Sequence, residues 1–231
     1  MRPHNASNLG SVARVARNFG IQRLSVVEPA VLPDPDSARL AVGAAGLLGA
    51  IARHPSLDAA VAEFPVVVTT SSMRGRSRAR WLELSELPGF LSEAGRVPAA
   101  FVFGPERSGL TEDELARASA CLRLPTDPAF PTMNLSHAVA LVLGVAAAFT
   151  APEAETANPA EPWAPAAEIE SAIAHWDRAL EAIGFYDTGH RERSLRDWRR
   201  LAAGRPMTMR EVAILRGVAN RVLVTLRRQP P

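Results

Sequence analysis

The sequence predicts an α/β fold with a mainly parallel sheet, followed by a small helical module. Three observations predict it. Short apolar runs alternate with helical stretches over residues 1–150. Four prolines then fall among Ala and Glu within residues 151–167. Beyond them, apolar residues recur at three- to four-residue spacing. The division expected is a first domain over 1–150, an acidic, semi-rigid Pro/Ala linker over 151–167, and a helical module over 168–231.

The elements follow in order. Asn8 or Ser7 can cap a first helix. Leu24-Ser25-Val26-Val27 is a short strand ending ahead of Pro29. Residues 38–53 lack proline and read as a helix, with Gly43, Gly46 and Gly49 forming a small-residue face for close packing. Pro65 starts a second strand, Val66-Val67-Val68-Thr69, and residues 99–103 form a third. Thr111 with Glu114 is a capping-box pattern opening a helix. Cys121-Leu122-Arg123-Leu124 is a fourth strand, and Asn134 opens a long apolar helix to about residue 149. Past the linker, Ile169, Ile173, Trp176 and Leu180 form one apolar set. Leu195, Trp198 and Leu201 form another, and Met209, Val212, Leu215, Val218, Val222 and Leu226 a third.

Composition narrows the class. The chain has 231 residues, 47% hydrophobic, enough for a sizeable core and too apolar for disorder. Cys121 is the single cysteine, which excludes a disulfide scaffold and suits a reducing cytoplasm. Without an apolar run of about 18 residues no membrane span is expected, and a polar N-terminus argues against a signal peptide. All 26 basic residues are arginine. Residues 151–187 carry 1 Arg against 8 acids, whereas residues 188–231 carry 11 Arg against 3 acids. A basic tail of this kind points to a polyanionic partner.

Four stretches are unusual for a plain α/β core. Asn5-Ala6-Ser7-Asn8-Leu9-Gly10 is followed by Arg14, Arg17 and Asn18-Phe19-Gly20, with the two arginines on one helix face. Arg74, Arg76, Arg78 and Arg80 alternate between Ser71 and Arg80, suited to bidentate phosphate contacts. Phe103-Gly104-Pro105-Glu106-Arg107-Ser108-Gly109-Leu110 is a glycine-bearing loop after a strand, where α/β ligands bind. Pro125, Pro128 and Pro131 stiffen the loop from Leu124 to Thr132-Met133-Asn134-Leu135-Ser136-His137, whose backbone groups can hold an adenine edge. His137 reads as packing or capping.

Together these stretches resemble the three signature motifs of the SpoU (TrmH-like) branch of the SPOUT RNA methyltransferases. Asn8-x-Gly10-x3-Arg14 resembles the first, residues 103–110 the second and residues 124–136 the third. The insert at residues 126–131 and the tail around residues 210–217 resemble the TrmJ-type tRNA 2′-O-methyltransferase subgroup. One departure stands out. The family has a strand before motif one, whereas only seven residues precede Asn8, so that strand is expected to be missing or much reduced.

The resemblance implies a parallel-sheet domain with a deep C-terminal trefoil knot, an exception to the usual absence of knots. It implies S-adenosylmethionine bound by Thr69, Thr70, Ser71, Gly104, Glu106, Leu124, Thr132, Asn134, Leu135 and Ser136, with Leu124 acting through its backbone. Transfer to a ribose 2′-OH would centre on Arg14, with Asn8, Glu106 and Asn134 orienting it and the hydroxyl. Since a guanidinium stays protonated, Arg14 is read as a phosphate clamp rather than a general base. Arg17, Arg74, Arg76, Arg78, Arg80 and Arg107 are the candidate RNA contacts. The implied partners are tRNA, methylated at the first nucleotide of the anticodon loop (position 32), and a second subunit in a cytoplasmic homodimer. The 2′-OH requirement excludes DNA as substrate. The five His and one Cys show no metal-ligand spacing. Other tRNA positions, ribosomal RNA and a non-catalytic RNA-binding module remain as alternatives. A Rossmann enzyme is disfavoured, because no strand leads into Gly-x-Gly-x-x-Gly.

Overall fold

The computed structural model describes residues 1–71, 80–95, 97–105, 108–149, 162–186, 190–203 and 206–228. The chain opens with helix α1 (Ala6–Asn18), then strand β1 (Ser25–Val27), α2 (Pro35–Leu40), α3 (Ala45–Gly49), β2 (Ala52–His54) and α4 (Leu57–Val61). Next come β3 (Val66–Ser71), β4 (Trp81–Glu83), a 3-10 turn, α5 (Leu87–Ala94), β5 (Ala99–Val102), α6 (Glu112–Ala116), β6 (Ala120–Arg123) and α7 (Leu135–Phe149). The module holds α8 (Ala166–Ala182), α9 (Arg191–Ala203) and α10 (Met209–Arg228).

Four strands form a parallel sheet in the order β4-β6-β3-β5. Strand β3 is central because Val66-Val67-Val68 offers apolar, β-branched side chains to both faces. Val66 and Val68 pack on one face with Leu87 and Phe90 of α5 and Val142 of α7. Val67 faces the opposite layer, with Leu57 and Val61 of α4. Strands β1 and β2 pair in parallel as a separate two-stranded sheet. Among the described residues no strand precedes α1, and β1 does not pair with β5.

Residues 38–53 do not form the one helix that the sequence suggested. Gly43 takes φ +72°, which breaks the stretch into α2 and α3 and sends it on into β2. Nor do Gly46 and Gly49 form a packing face, since a Cβ on either would meet open space. The close approach falls at Gly10 instead, where a Cβ would lie 2.0 Å from the Ser37 carbonyl oxygen of α2.

In the module, Val212 of α10 and Ala172 of α8 are buried together with Ala164, and Trp176 stacks on Trp198 with centroids 5.9 Å apart. Leu201 and Val218, expected on apolar faces, lie largely exposed. The acids of α8 face the arginines of the tail. Arg191 pairs with Asp177 and Glu181, Arg199 with Glu170, and Arg216 with Glu168. Much of the blockwise charge contrast is thus met inside the chain. Among the described residues, no helix is long and apolar enough to cross a membrane.

Candidate active site

Because the four-stranded ladder is parallel, the carboxyl ends of β3, β5 and β6 open on one edge. Thr69 of β3 sits level with Val102 and Cys121 of its neighbours. Thr69 is fully buried and its hydroxyl donates to the Ala120 carbonyl at 3.4 Å. The Thr70 hydroxyl donates to the Val102 carbonyl at 3.5 Å, so consecutive threonines tie the end of β3 to both flanking strands. Ser71 ends the strand, half-buried.

The loop after β5 closes on itself. A Cβ on Gly104 would lie 2.7 Å from the Gly109 carbonyl carbon, so only glycine allows the closure. Gly109 takes φ +65°, and its N–H donates to the Pro105 carbonyl at 2.9 Å. The loop then enters α6 through the expected capping box. Glu114 N–H donates to the Thr111 hydroxyl, and Thr111 N–H donates to the Glu114 carboxylate. Glu106 and Arg107 lie outside the described residues.

The third loop leaves β6 at buried Leu124. Asp127 folds it locally, accepting from Ala129 N–H at 2.7 Å through its side chain and from Phe130 N–H at 2.9 Å through its carbonyl. Phe130 is left 74% exposed at the tip, and Thr132 is exposed too. Asn134 then opens α7. Its Oδ1 accepts from the Ser136 N–H and hydroxyl at 2.9 and 2.8 Å, which turns its amide nitrogen away from the helix. That nitrogen donates to Asn8 Oδ1 at 3.4 Å, joining motif three to motif one across 126 residues. Leu135 packs below with Val12 and Val139. His137 neither packs nor caps: it is exposed, and Asn134 does the capping.

Asn8 is not the cap of α1. Asn5 caps the helix instead, accepting from Ser7 N–H at 2.9 Å, and Asn8 lies in the first turn, buried. Arg14 and Arg17 lie further along α1, both exposed, with no ion pair among the described residues. The structure therefore joins Asn8 to Asn134 by a hydrogen bond, and among the described residues no hydrogen bond links Arg14 to either. Of the four alternating arginines, Arg74, Arg76 and Arg78 lie outside the described residues. Arg80 lies over the Phe90 ring at 5.0 Å, its guanidinium 3.5 Å from Glu93.

Sequence reasoning passed over Arg2. Its guanidinium grips Glu114 through two bonds, one of 3.0 Å, and reaches Glu28 at 3.3 Å. It thereby ties the helix after the second loop to the end of β1. Nothing in the spacing signals a pair 112 residues apart. Partial burial pushes the Glu114 carboxyl up, but the bonds from Arg2 and Thr111 outweigh it and hold the group below its usual range. Burial pushes the Cys121 thiol up to about 11, so it is no nucleophile at neutral pH.

Comparison with known proteins places the chain in a family. Residues 1–144 match the SpoU rRNA Methylase family, and residues 167–231 match the C-terminal domain of the tRNA methyltransferase TrmJ. A tRNA (cytidine/uridine-2′-O-)-methyltransferase TrmJ from Pectobacterium atrosepticum is 31% identical over 226 residues, covering 96% of this chain and 93% of that protein. The protein of the same name from Cronobacter sakazakii is 34% identical over 223 residues, covering 93% and 90%. The crystal structure of TrmJ from Z. mobilis ZM4 superposes with a TM-score of 0.83 at 28% identity, covering 96% of each chain. With its motif loops on one sheet edge and both of its parts matched, the chain belongs to the SpoU methylase family.

Proposed function

We propose that this protein transfers a methyl group from S-adenosylmethionine to the 2′-hydroxyl of a cytidine or uridine in tRNA, at position 32 of the anticodon loop. The observation that carries this reading is the convergence of three motif segments on one edge, in a chain whose relatives are named for that reaction over almost their whole length. The donor set suits an adenosine-bearing ligand. The loops offer hydroxyls at Thr69, Thr70 and Ser136, and three prolines leave the third loop richer in carbonyl acceptors than in N–H donors. Buried Leu124 and half-buried Leu135 supply apolar surface for a ring. Thr132, Asn134, Gly104 and Glu106 complete the set.

S-adenosylmethionine supplies an electrophilic methyl group when bound. The chain's own residues prepare the acceptor. Arg14, exposed on α1, holds the phosphate beside the target ribose and lowers the pKa of the 2′-hydroxyl by its charge. It remains protonated throughout, so the 2′-hydroxyl proton passes to solvent as the methyl group is accepted. The Asn8–Asn134 pair sets the relative position of α1 and the third loop, and Glu106 acts from the second loop. Arg17, Arg74, Arg76, Arg78, Arg80 and Arg107 contact the RNA backbone. The loops form a deep trefoil knot, and a second copy of the chain completes the site across a homodimer. The protein acts in the cytoplasm, on RNA and not on DNA.

The test is incubation of the purified protein with unmodified tRNA and methyl-labelled S-adenosylmethionine, followed by mass mapping of the product. Label in a 2′-O-methylated C or U at position 32 supports the proposal. Label at another nucleotide overturns the position, and no incorporation by protein that binds the donor overturns the reaction.

A further inference from the structure

Among the described residues Phe130 is the most exposed large apolar side chain, at 74%. Leaving a whole aromatic ring in water forgoes the largest burial gain open to this loop. Apolar surface lies close at hand. Leu124 and Met133, toward the two ends of the same loop, both pack into the main core. Phe130 joins none of the core clusters. The construction of the loop keeps the ring out. The Asp127 side chain accepts from Ala129 N–H, and its carbonyl accepts from Phe130 N–H. Pro128 lies inside that turn and Pro131 follows the ring, so φ is fixed on either side. The backbone under the ring is preorganised, which lowers the cost of holding a partner against it.

The position of the ring says what partner it meets. The same loop runs on through Thr132 to Asn134, which is bonded to Asn8 of α1. In the reading above, the nucleotide brought here is a cytidine or uridine of a tRNA loop. Bases of single-stranded loops are recognised by unstacking them and stacking them again on an aromatic ring. Such a platform is sequence-tolerant, because every base has a π face. A hydrogen-bonding side chain would separate the two pyrimidines, since the group at their 4-position donates in one and accepts in the other. The Phe130 ring makes no hydrogen bond and suits both.

We propose that the Phe130 ring stacks on the base of the nucleotide whose ribose is methylated. The proposal rests on the methyl-transfer reading and adds to it the group that presents the nucleotide. Phosphate contacts hold the rest of the tRNA. The ring therefore governs how the target ribose is turned, and not how tightly the RNA binds.

The experiment places 5-iodouridine at position 32 of a tRNA transcript, irradiates its complex with the protein and maps the adduct by mass spectrometry. The expected result is a cross-link to Phe130 in the wild type that is lost in Phe130→Ala. A cross-link to another residue, no cross-link, or one to Phe130 only from a flanking nucleotide overturns the proposal. This arm needs no turnover, so a wild type that cross-links without methylating removes the methyl-transfer reading and leaves the stacking in place. Kinetics supply the magnitude. Phe130→Ala should lower kcat about tenfold at saturating tRNA, with KM for tRNA and affinity for S-adenosylmethionine within about twofold of wild type. Phe130→Tyr, which keeps the ring, should restore most of the rate. On a tRNA with an abasic ribose at position 32, wild type and Phe130→Ala should transfer at equal rates. An unchanged kcat in Phe130→Ala overturns the proposal. Lost donor affinity, or a fall in oligomeric mass by light scattering, overturns it too and assigns the ring to the donor pocket or to a subunit contact.

Discussion

Replacing Gly10 by Ala tests the contact that seats α1. The new methyl would lie 2.0 Å from the Ser37 carbonyl oxygen and 2.7 Å from its carbonyl carbon. Ordinary carbon–oxygen contacts fall at about 3.3–3.6 Å, so one helix must move by roughly 1.3 Å. Both sides are backbone, so no rotamer change relieves the clash. Ser37 is also fully buried and held in a capping box, with Asp34 and Ser37 exchanging 2.7 Å bonds. Overpacking costs about 1–3 kcal/mol, and a strained cap adds about 1 kcal/mol. Alanine recovers roughly 1 kcal/mol inside a helix. The net loss is about 1–3 kcal/mol, a fall of about 3–10 °C in Tm for a chain of this size. Gly46→Ala in α3, where a Cβ meets open space, is the control and should be neutral or slightly stabilising. Thermal melts of both variants decide the matter. A G10A protein melting within 1 °C of wild type would refute the close-approach argument.

Arg14→Ala should abolish methyl transfer while leaving Tm within about 1 °C, since the side chain is exposed and makes no ion pair among the described residues; retained turnover removes Arg14 from the site. The triple variant Arg74→Ala, Arg76→Ala, Arg78→Ala should weaken tRNA binding and leave S-adenosylmethionine affinity intact. Its log–log salt slope should flatten by about 2 if all three touch phosphate, and an unchanged slope refutes their role. Glu114→Gln tests the bonds from Arg2. The folded carboxyl is held below its usual range, so its stabilisation is full above the unfolded pKa and fades as pH falls through the folded one. Wild type should therefore lose more stability than E114Q between about pH 5 and pH 3, and parallel curves in that window would sink the assignment. Cys121 should stay unreactive toward a disulfide reagent at pH 8 until the protein is denatured, and prompt labelling of the native state would show the strand to be open.

Features set by local chemistry were legible in the sequence. The valines of β3, the Thr111–Glu114 box and the apolar run of α7 each carry their own signal over a few residues. Asn5 took the cap position because its side chain reaches Ser7 N–H, a choice among several polar residues that spacing alone did not decide. The break at Gly43 was hidden because alanine- and leucine-rich flanks favour helix on both sides. Strands β2 and β4 are three residues long, and Ala-Arg-His and Trp-Leu-Glu carry no period to detect. The site was legible as motifs and not as geometry. The sequence marked both Asn8 and Asn134, while their contact, like that of Arg2 with Glu114, depends on tertiary packing across more than a hundred residues.

The carboxylates of α8 also change what the arginine-rich tail can offer a polyanion. Glu168, Glu170, Asp177 and Glu181 act as tethered counterions for Arg216, Arg199 and Arg191. A mobile ion set free on binding is a gain in entropy, and a tethered one cannot be set free. RNA approaching these three arginines must displace a partner that stays at high local concentration. The salt dependence of any polyanion binding at the tail should therefore count fewer charges than the sequence displays.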